Sequence, residues 1–178
     1  MRPAKSRTEG PTRMEDVARR VGVSIVTVSR ALHQPEKVSE KTRRCILRAI
    51  AETGYVQNLV AGSLASNRTR VIAAIVPTLS NLAYGESVHA VAEVLRKNDY
   101  HLLLGTAGFS VAEEESLVTT FLGRRPDGMF LHGCRHTPGA KRLLQHAGIP
   151  IVETGDLTNR PLDMVVSYSN FEAAKAMT

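Results

Sequence analysis

The sequence predicts an all-α helix-turn-helix domain followed by an α/β lobe with a parallel sheet. Short apolar stripes at helical spacing occupy the first 57 residues, whereas strand-like and helical stretches alternate from residue 71 onward. The charge divides at the same place: residues 1–70 hold 14 Lys+Arg and 6 Asp+Glu, and residues 71–178 hold 9 and 11. A basic module joined to a near-neutral one indicates two different partners, and a polyanion such as nucleic acid suits the first. The alternative is a merely solvated cationic surface.

The composition excludes several classes of protein. No apolar run approaches the ~20 residues that span a bilayer, and no apolar stretch follows the basic N-terminus to make a secretory signal. The two cysteines, Cys45 and Cys134, cannot form a disulfide framework. We therefore expect a reduced, cytoplasmic protein.

A helix-turn-helix is predicted between residues 12 and 32. Thr12 and Glu15 have the spacing of a capping box that opens a first helix. Its apolar stripe consists of Met14, Val17, Ala18 and Val21. Gly22 then breaks the pattern, and Ser24 is placed to cap a second helix over Ile25–Leu32. Two short amphipathic helices joined by a tight glycine turn are typical of this motif.

The second predicted helix begins with two adjacent apolar residues. Ile25 and Val26 cannot both point into one small core, so at least one faces outward beside Thr27 and Ser29, with Arg30 one turn further on. In a recognition helix such side chains contact base edges in the major groove. Apolar groups pack on thymine methyls, and arginine binds guanine. The alternative is that Ile25 belongs to the core.

A third helix is predicted from its cap at Ser39 to its stop at Gly54. Its apolar face is Cys45, Ile46, Ala49 and Ile50, which makes Cys45 a packing residue rather than a reactive thiol. Its exposed side carries Lys41, Arg43, Arg44 and Arg48. These cations either contact phosphates or form an ordinary solvated face.

These helices carry a family resemblance. Residues 16–32 read DVARRVGVSIVTVSRAL, followed by VSEKTR at 38–43 and GYVQN at 54–58. The pattern resembles the DNA-binding domain of the lactose-repressor (LacI) family of bacterial transcription regulators. The resemblance implies that Ile25, Val26 and Arg30 read bases, and that Thr27 and Ser29 help to fix the DNA backbone.

The resemblance extends to a hinge segment. The matching residues are Asn58, Ala61, Leu64 and Ala65. A helix of about eight residues is too short to persist alone, so it should order only with DNA and a second copy of the chain. The family implies that Leu64 is a wedge in the minor groove; the alternative is ordinary burial. Gln57, Leu59 and Gly62 depart from the family pattern. The predicted DNA-binding residues are Ser24, Ile25, Val26, Thr27, Ser29, Arg30, Asn58, Ala61 and Leu64.

The second module alternates strands and helices. Strands are predicted at 71–76, 101–107, 128–131, 149–153 and 162–166, and helices at 84–98, 112–123 and 138–147. This order implies a parallel sheet covered on both faces, with ligands bound beyond the carboxyl ends of its strands. The predicted organisation is a disordered basic arm (1–12), the helix-turn-helix domain (13–57), hinge and linker (58–70) and the lobe (71–178).

The resemblance continues through this lobe at 77–81, 136–138, 147–153 and 170–174. The lobe is similar to the first of the two lobes of the family's periplasmic-binding-protein-like effector domain. The resemblance therefore implies an incomplete effector domain. The resemblance implies gluconate or a related sugar acid as the effector, contacted by the loop after the first strand. The predicted effector-binding residues are Ser80, Asn81, Tyr84 and Glu86; the alternative is that they cap the following helix. With one lobe only, we expect weak effector binding and a weakened homodimer.

No catalytic motif is found. The sequence lacks G-x-x-x-x-G-K-S/T, G-x-G-x-x-G, G-x-S-x-G and H-E-x-x-H. His132, Cys134 and His136 resemble metal ligands, but their spacing fits no common structural site. We predict no enzyme, metal or cofactor. The predicted function is a repressor of a carbohydrate or sugar-acid catabolic operon that binds a palindromic double-stranded DNA operator. The alternatives are a sugar-acid-binding protein without a DNA-specific role, disfavoured by the missing export signal, and an α/β enzyme.

Overall fold

The computed structural model describes residues 12–57 and 68–177, which fall into two compact units. The predictions for the basic arm before residue 12 and for Asn58, Ala61 and Leu64 of the hinge lie outside the described residues. The first unit is all-helical. It contains α1 (Met14–Val21), α2 (Ile25–His33), a short 3-10 helix (Pro35–Lys37) and α3 (Glu40–Thr53).

The core of the helical unit draws two residues from each helix. The buried set is Val17, Ala18, Val28, Ala31, Ile46 and Ala49. The prediction that Cys45 is buried is wrong, because its side chain is exposed. Cys45 lies at the edge of the buried face, about 100° around the helix from Ile46, and the packing of α3 leaves that edge exposed.

The first helix begins one residue later than the predicted capping box. Arg13 is the N-cap, and its backbone N–H donates to Oδ2 of Asp16 at 2.9 Å, so Asp16 takes the part predicted for Glu15. The Thr12 hydroxyl instead donates to the carbonyl of Thr53 at 3.1 Å and joins the start of α1 to the end of α3. Thr12, the last residue of the predicted arm, is therefore part of the folded unit.

The predicted caps at Ser24 and Ser39 and the predicted stops at Gly22 and Gly54 are confirmed, whereas α2 ends at His33, one residue beyond the prediction. The Ser24 hydroxyl accepts the backbone N–H of Thr27 at 3.1 Å, and the Ser39 hydroxyl accepts that of Thr42 at 3.3 Å. Gly22 ends α1 with a φ of 74°, a left-handed conformation that glycine adopts without steric cost.

The second unit is a lobe built on a five-stranded parallel sheet. Its elements are β1 (Val71–Val76), α4 (Leu82–Lys97), β2 (His101–Thr106), α5 (Val111–Leu122), β3 (Gly128–His132), α6 (Pro138–His146), β4 (Ile151–Thr154), β5 (Met164–Val165) and α7 (Asn170–Ala176). The strand order is β2-β1-β3-β4-β5, and every pairing is parallel. The predicted parallel sheet is confirmed, although its last strand has two residues instead of five.

The core of the lobe lies between the sheet and its helices. The main buried side chains are Ala73, Ile75, Val118, Phe121, Met129, Leu131, Leu144 and Ile151. By contrast, α4 has no buried residue, and its apolar face of Val88, Val91, Ala92 and Leu95 is only half-buried. No helix within 12–57 or 68–177 is long and apolar enough to cross a membrane.

The predicted linker is held at the start of the sheet by one carboxylate. Asp127 accepts hydrogen bonds from the backbone N–H of Thr69 at 2.8 Å, the Thr69 hydroxyl at 3.0 Å and the backbone N–H of Arg70 at 3.0 Å. Burial by itself raises the pKa of Asp127, but these hydrogen bonds and the nearby Arg68 charge outweigh it and lower the pKa. Thr69 and Arg70, the two residues immediately before β1, are therefore held by Asp127.

Candidate nucleic-acid interface and effector face

The outward side of α2 presents the residues predicted to read bases. Val28 is fully buried, whereas Ile25 is 44% and Val26 56% exposed, and Arg30 is exposed as well. The alternative that Ile25 belongs to the core is therefore wrong. Helical geometry explains the result, since Val28 and Ala31 face α1 and α3 and thereby turn the other side of α2 outward.

The predicted backbone-contacting residues lie at the same end of α2. Ser24 caps the helix, and its hydroxyl lies 2.9 Å from the hydroxyl of Thr27. Ser29 lines a shallow depression together with Ile25, Val26 and Arg30. The first turn of an α-helix also presents unpaired backbone N–H groups that favour anions. One helix end thus combines apolar, hydroxyl and cationic groups on an open surface.

The cations around α2 fall into two groups. Four arginines pair with nearby carboxylates: Arg19 with Asp16, Arg20 with Glu52, and Arg43 and Arg44 with Glu40. Within the described part of the chain, the side chains of Arg30, Lys41 and Arg48 make no hydrogen bond or ion pair. Exposed ion pairs are weak, so both groups are available to a polyanion.

One contact at this surface was not predicted from the sequence. Nε2 of Gln57 lies 2.8 Å from Nε2 of His33, the last residue of α2. The contact ties the end of α2 to the last residue before the predicted hinge. Gln57 is one of the departures from the family pattern, and only the fold reveals its partner.

The carboxyl ends of β1, β2 and β3 enclose a cavity of about 230 Å³ on the lobe. Its lining comes from the segments that follow these strands and from the first turn of α5. The residues with polar or aromatic side chains are Phe109, Ser110, Glu114, His132, Cys134 and Arg135. Ligands of open parallel sheets bind at this edge. We call this surface the effector face.

Of the four predicted effector residues, two lie beside the recesses of this face and two do not. Ser80 lines a neighbouring recess next to Phe109, and the Tyr84 ring packs 4.4 Å from the His132 ring, centroid to centroid. Asn81 uses its Oδ1 to accept the backbone N–H of Ala83 at 2.9 Å, so the capping alternative describes this side chain. Glu86 is exposed and lines neither recess.

His132 is held in place by two neighbours. Tyr84 covers one side of its ring, and Gly155 with a φ of 95° lies against Nε2, where an added Cβ would stand 2.5 Å away. Nδ1 is buried and has no hydrogen-bond partner among the described residues. Burial lowers the pKa of His132, which favours a neutral ring.

A second histidine bridges two buried carboxylates beneath the cavity. Nδ1 of His136 lies 2.6 Å from Oε1 of Glu114 on α5, and Nε2 lies 3.0 Å from Oε1 of Glu153 on β4. Glu153 also accepts the backbone N–H of Leu162 at 2.6 Å. Burial by itself lowers the pKa of His136, but the hydrogen bonds and charges of the two carboxylates outweigh it and raise the pKa.

The three residues that resemble metal ligands in the sequence, His132, Cys134 and His136, do not form a cluster in the part of the chain that the structure describes. No three His, Cys, Asp or Glu side chains converge as metal ligands in the described ranges. The two ring nitrogens of His136 point in opposite directions, toward separate carboxylates.

The two units define a class of protein, a helix-turn-helix module combined with a parallel-sheet α/β lobe. Residues 13–58 match the family "Bacterial regulatory proteins, lacI family". The chain is 37% identical over 171 residues to the HTH-type transcriptional regulator GntR of Pseudomonas aeruginosa, covering 96% of this chain and 50% of the relative. It is 36% identical over 165 residues to GntR of Escherichia coli K12, covering 93% and 50%. The chain therefore carries a LacI-family helix-turn-helix domain.

Solved structures agree with this assignment. A LacI-family transcriptional regulator from Silicibacter pomeroyi superposes with a TM-score of 0.86 at 37% identity, covering 94% of this chain and 50% of that one. The lac repressor dimer bound to operator and an anti-inducer superposes with a TM-score of 0.75 at 25% identity, covering 94% and 53%. The chain spans about half the length of these relatives, which are transcriptional regulators and not enzymes.

Proposed function

We propose that the chain acts in a sequence-specific DNA-binding repressor of a carbohydrate or sugar-acid catabolic operon. The observation that carries this proposal is the outward display of Ile25, Val26 and Arg30 on a helix whose opposite face is the core. A solvated cationic surface does not account for two adjacent exposed apolar side chains beside an unpaired arginine.

The proposed contacts follow from the chemistry of these groups. The Arg30 guanidinium donates two hydrogen bonds to O6 and N7 of a guanine, and Ile25 and Val26 pack on thymine methyls. Ser24 and Thr27 lie at the first turn of α2, where phosphates are favoured, and Ser29 follows in the next turn. Cations of α1 and α3 add salt-dependent affinity.

The proposed operator is palindromic and bound by two copies. The solved lac repressor, which is similar to this chain, is a dimer bound to operator, and a two-fold dimer reads two half-sites in successive major grooves. Asn58, Ala61 and Leu64 are proposed to contact the central minor groove, with Leu64 as the wedge. That part of the proposal rests on the family resemblance.

Selection from a random duplex pool, followed by affinity measurements at several salt concentrations, tests the DNA proposal. The expected result is an enriched palindrome bound at least 10³-fold more tightly than a scrambled duplex. The control is the Arg142→Gln protein, which loses one exposed cation on the lobe and should prefer the same palindrome as the unmodified protein. Equal affinity for both duplexes would remove the specificity claim and leave only electrostatic attraction.

We further propose that gluconate or a related sugar acid is the effector, bound at the effector face. Ser80 and Tyr84 are the predicted residues that lie beside its recesses; Asn81 and Glu86 contribute at most through the loop that carries them. Thermal unfolding with and without gluconate tests this step. Stabilisation by gluconate without any preference for operator DNA would favour a sugar-acid-binding protein instead.

A further inference from the structure

The cavity of the effector face is lined by two charged side chains of opposite sign. Glu114 is only 7% exposed, and its carboxylate is bound to His136 at 2.6 Å. Arg135 is exposed, and its guanidinium makes no hydrogen bond or ion pair with another described residue. The accessible charge at the cavity is therefore positive.

The pairing of Glu114 matters because an unpaired carboxylate would repel an anionic ligand. His136 stands between Glu114 and Glu153, and both of its ring nitrogens are occupied. The bridge joins α5 to β4 and turns the Glu114 carboxylate toward the protein interior. As a result, the Glu114 carboxylate is buried in the cavity wall and hydrogen-bonded there instead of being exposed to the ligand.

The neighbouring polar groups suit hydroxyls better than charges. Nδ1 of His132 is buried without a partner among the described residues, and burial favours the neutral ring. The Ser110 hydroxyl accepts the backbone N–H of Glu113 at 3.3 Å and retains its own hydrogen for donation. Phe109 and Tyr84 provide aromatic surface, with their ring centroids 6.3 Å apart.

We propose that Arg135 binds the carboxylate of the sugar-acid effector and thereby selects the acid over the corresponding neutral sugar. This inference rests on the proposed effector function and deepens it by naming the residue that recognises the charge. Arginine pairs with a carboxylate through two parallel hydrogen bonds. The Glu114 carboxylate is buried and hydrogen-bonded to His136, whereas the Arg135 guanidinium is exposed, so Arg135 is the charged group that the ligand meets.

A ligand titration tests the proposal with gluconate and glucitol, which share an open six-carbon polyol chain but differ in charge. Chemical-shift changes of the purified chain are followed to millimolar ligand for the unmodified protein, Arg135→Gln, Arg135→Lys and the control Arg142→Gln. Arg142 is an exposed arginine on α6 that does not line the cavity. We expect Arg135→Gln to weaken gluconate binding about 10- to 100-fold, with little change for glucitol and with partial recovery in Arg135→Lys.

The outcomes separate the inference from the proposed function. Gluconate binding that is unchanged by Arg135→Gln would overturn the role of Arg135 and leave the effector proposal standing. Failure of the unmodified chain to bind gluconate would overturn both. A Glu114→Gln protein probes the neutralising bridge, and we expect its gluconate affinity to stay within about twofold of the unmodified protein. A rise of tenfold or more would show that Glu114 does repel the anion.

Discussion

Nδ1 of His136 lies 2.6 Å from Oε1 of Glu114, and both side chains are shielded from solvent. With Glu153 at 3.0 Å from the other ring nitrogen, the contact links the first turn of α5 to β4 across the cavity wall. Buried charges of this kind are stable only when paired, since an unpaired one carries the full cost of desolvation. The bridge therefore contributes to both the stability of the lobe and the charge of the effector face.

Replacing His136 with Asn should destabilise the lobe by about 3 kcal/mol at pH 6, because two buried carboxylates lose their shared partner. Urea unfolding measures the loss. Replacement of the exposed His101 with Asn is the matched control and should change the free energy of unfolding by less than about 0.5 kcal/mol. Equal stabilities of the two variants would show that the bridge contributes nothing.

The raised pKa of His136 predicts a pH dependence with a definite sign. A folded-state pKa above the ordinary value of 6.5 means that the native protein holds this proton more tightly than the unfolded chain. The stabilisation is fully present below pH 6.5 and is lost as the pH rises through the folded-state pKa. The lowered pKa of His132 does not affect this range, because it reduces stability only as the pH falls below 6.5. Stability should therefore fall above pH 6.5 in the unmodified protein, and this slope should be absent from His136→Asn.

Asp127→Asn should lower the stability of the lobe by about 1 kcal/mol at neutral pH. The carboxylate accepts three hydrogen bonds from Thr69 and Arg70, and charged acceptors contribute more than neutral ones, although partial exposure reduces the effect. Because the pKa of Asp127 is lowered, its contribution is present above the unfolded pKa and lost as the pH falls through the folded-state value.

Chemical denaturation at pH 7 and at pH 3 checks the Asp127 prediction. Asp99→Asn is the control, since Asp99 is highly exposed and pairs with Arg70 only at 3.7 Å. A loss of unfolding free energy in Asp127→Asn that is the same at pH 3 as at pH 7 would contradict the charge-based account.

Arg30→Ala should cost about 1–3 kcal/mol of operator affinity and relax the preference at one base position. Arg19→Ala is the control, because this exposed α1 arginine pairs with Asp16 and lies outside the recognition surface. Its loss should weaken all duplexes alike. Competition binding against a set of single-base operator variants distinguishes the two results. An Arg30→Ala protein with an unaltered base preference would contradict the assignment of this residue.

Gly155→Ala should destabilise the lobe by about 1–3 kcal/mol, because its φ of 95° and the His132 ring leave no room for a Cβ. Gly85→Ala is the opposite control. A Cβ at Gly85, within α4, meets no atom within 4 Å, so the change should stabilise the helix by about 0.5–1 kcal/mol. Thermal unfolding compares the two, and similar melting temperatures would refute the close packing at His132.

Patterns along the chain were sufficient to predict most of the helices and strands and the outward display of side chains on α2. The 3.6-residue apolar spacing predicted three helices that the structure confirms, and the adjacency of Ile25 and Val26 required one of them to face outward. Apolar spacing was less reliable where two neighbouring residues could each be assigned to the buried face of a helix. Cys45 lies next to the buried Ile46 and was predicted to be buried with it. The capping box was predicted one residue too early, because Thr12 is used by a contact 41 residues away.

The sequence by itself determined the order of the elements, the division into a basic helical unit and an α/β lobe, and the side chains displayed on α2. These follow from local periodicity and charge, which a chain expresses without reference to distant residues. Only the tertiary structure decided which groups meet at the effector face. Arg135, His132 and the Glu114–His136–Glu153 bridge come from three separate segments, and parallel strands place such segments together only once the sheet has formed.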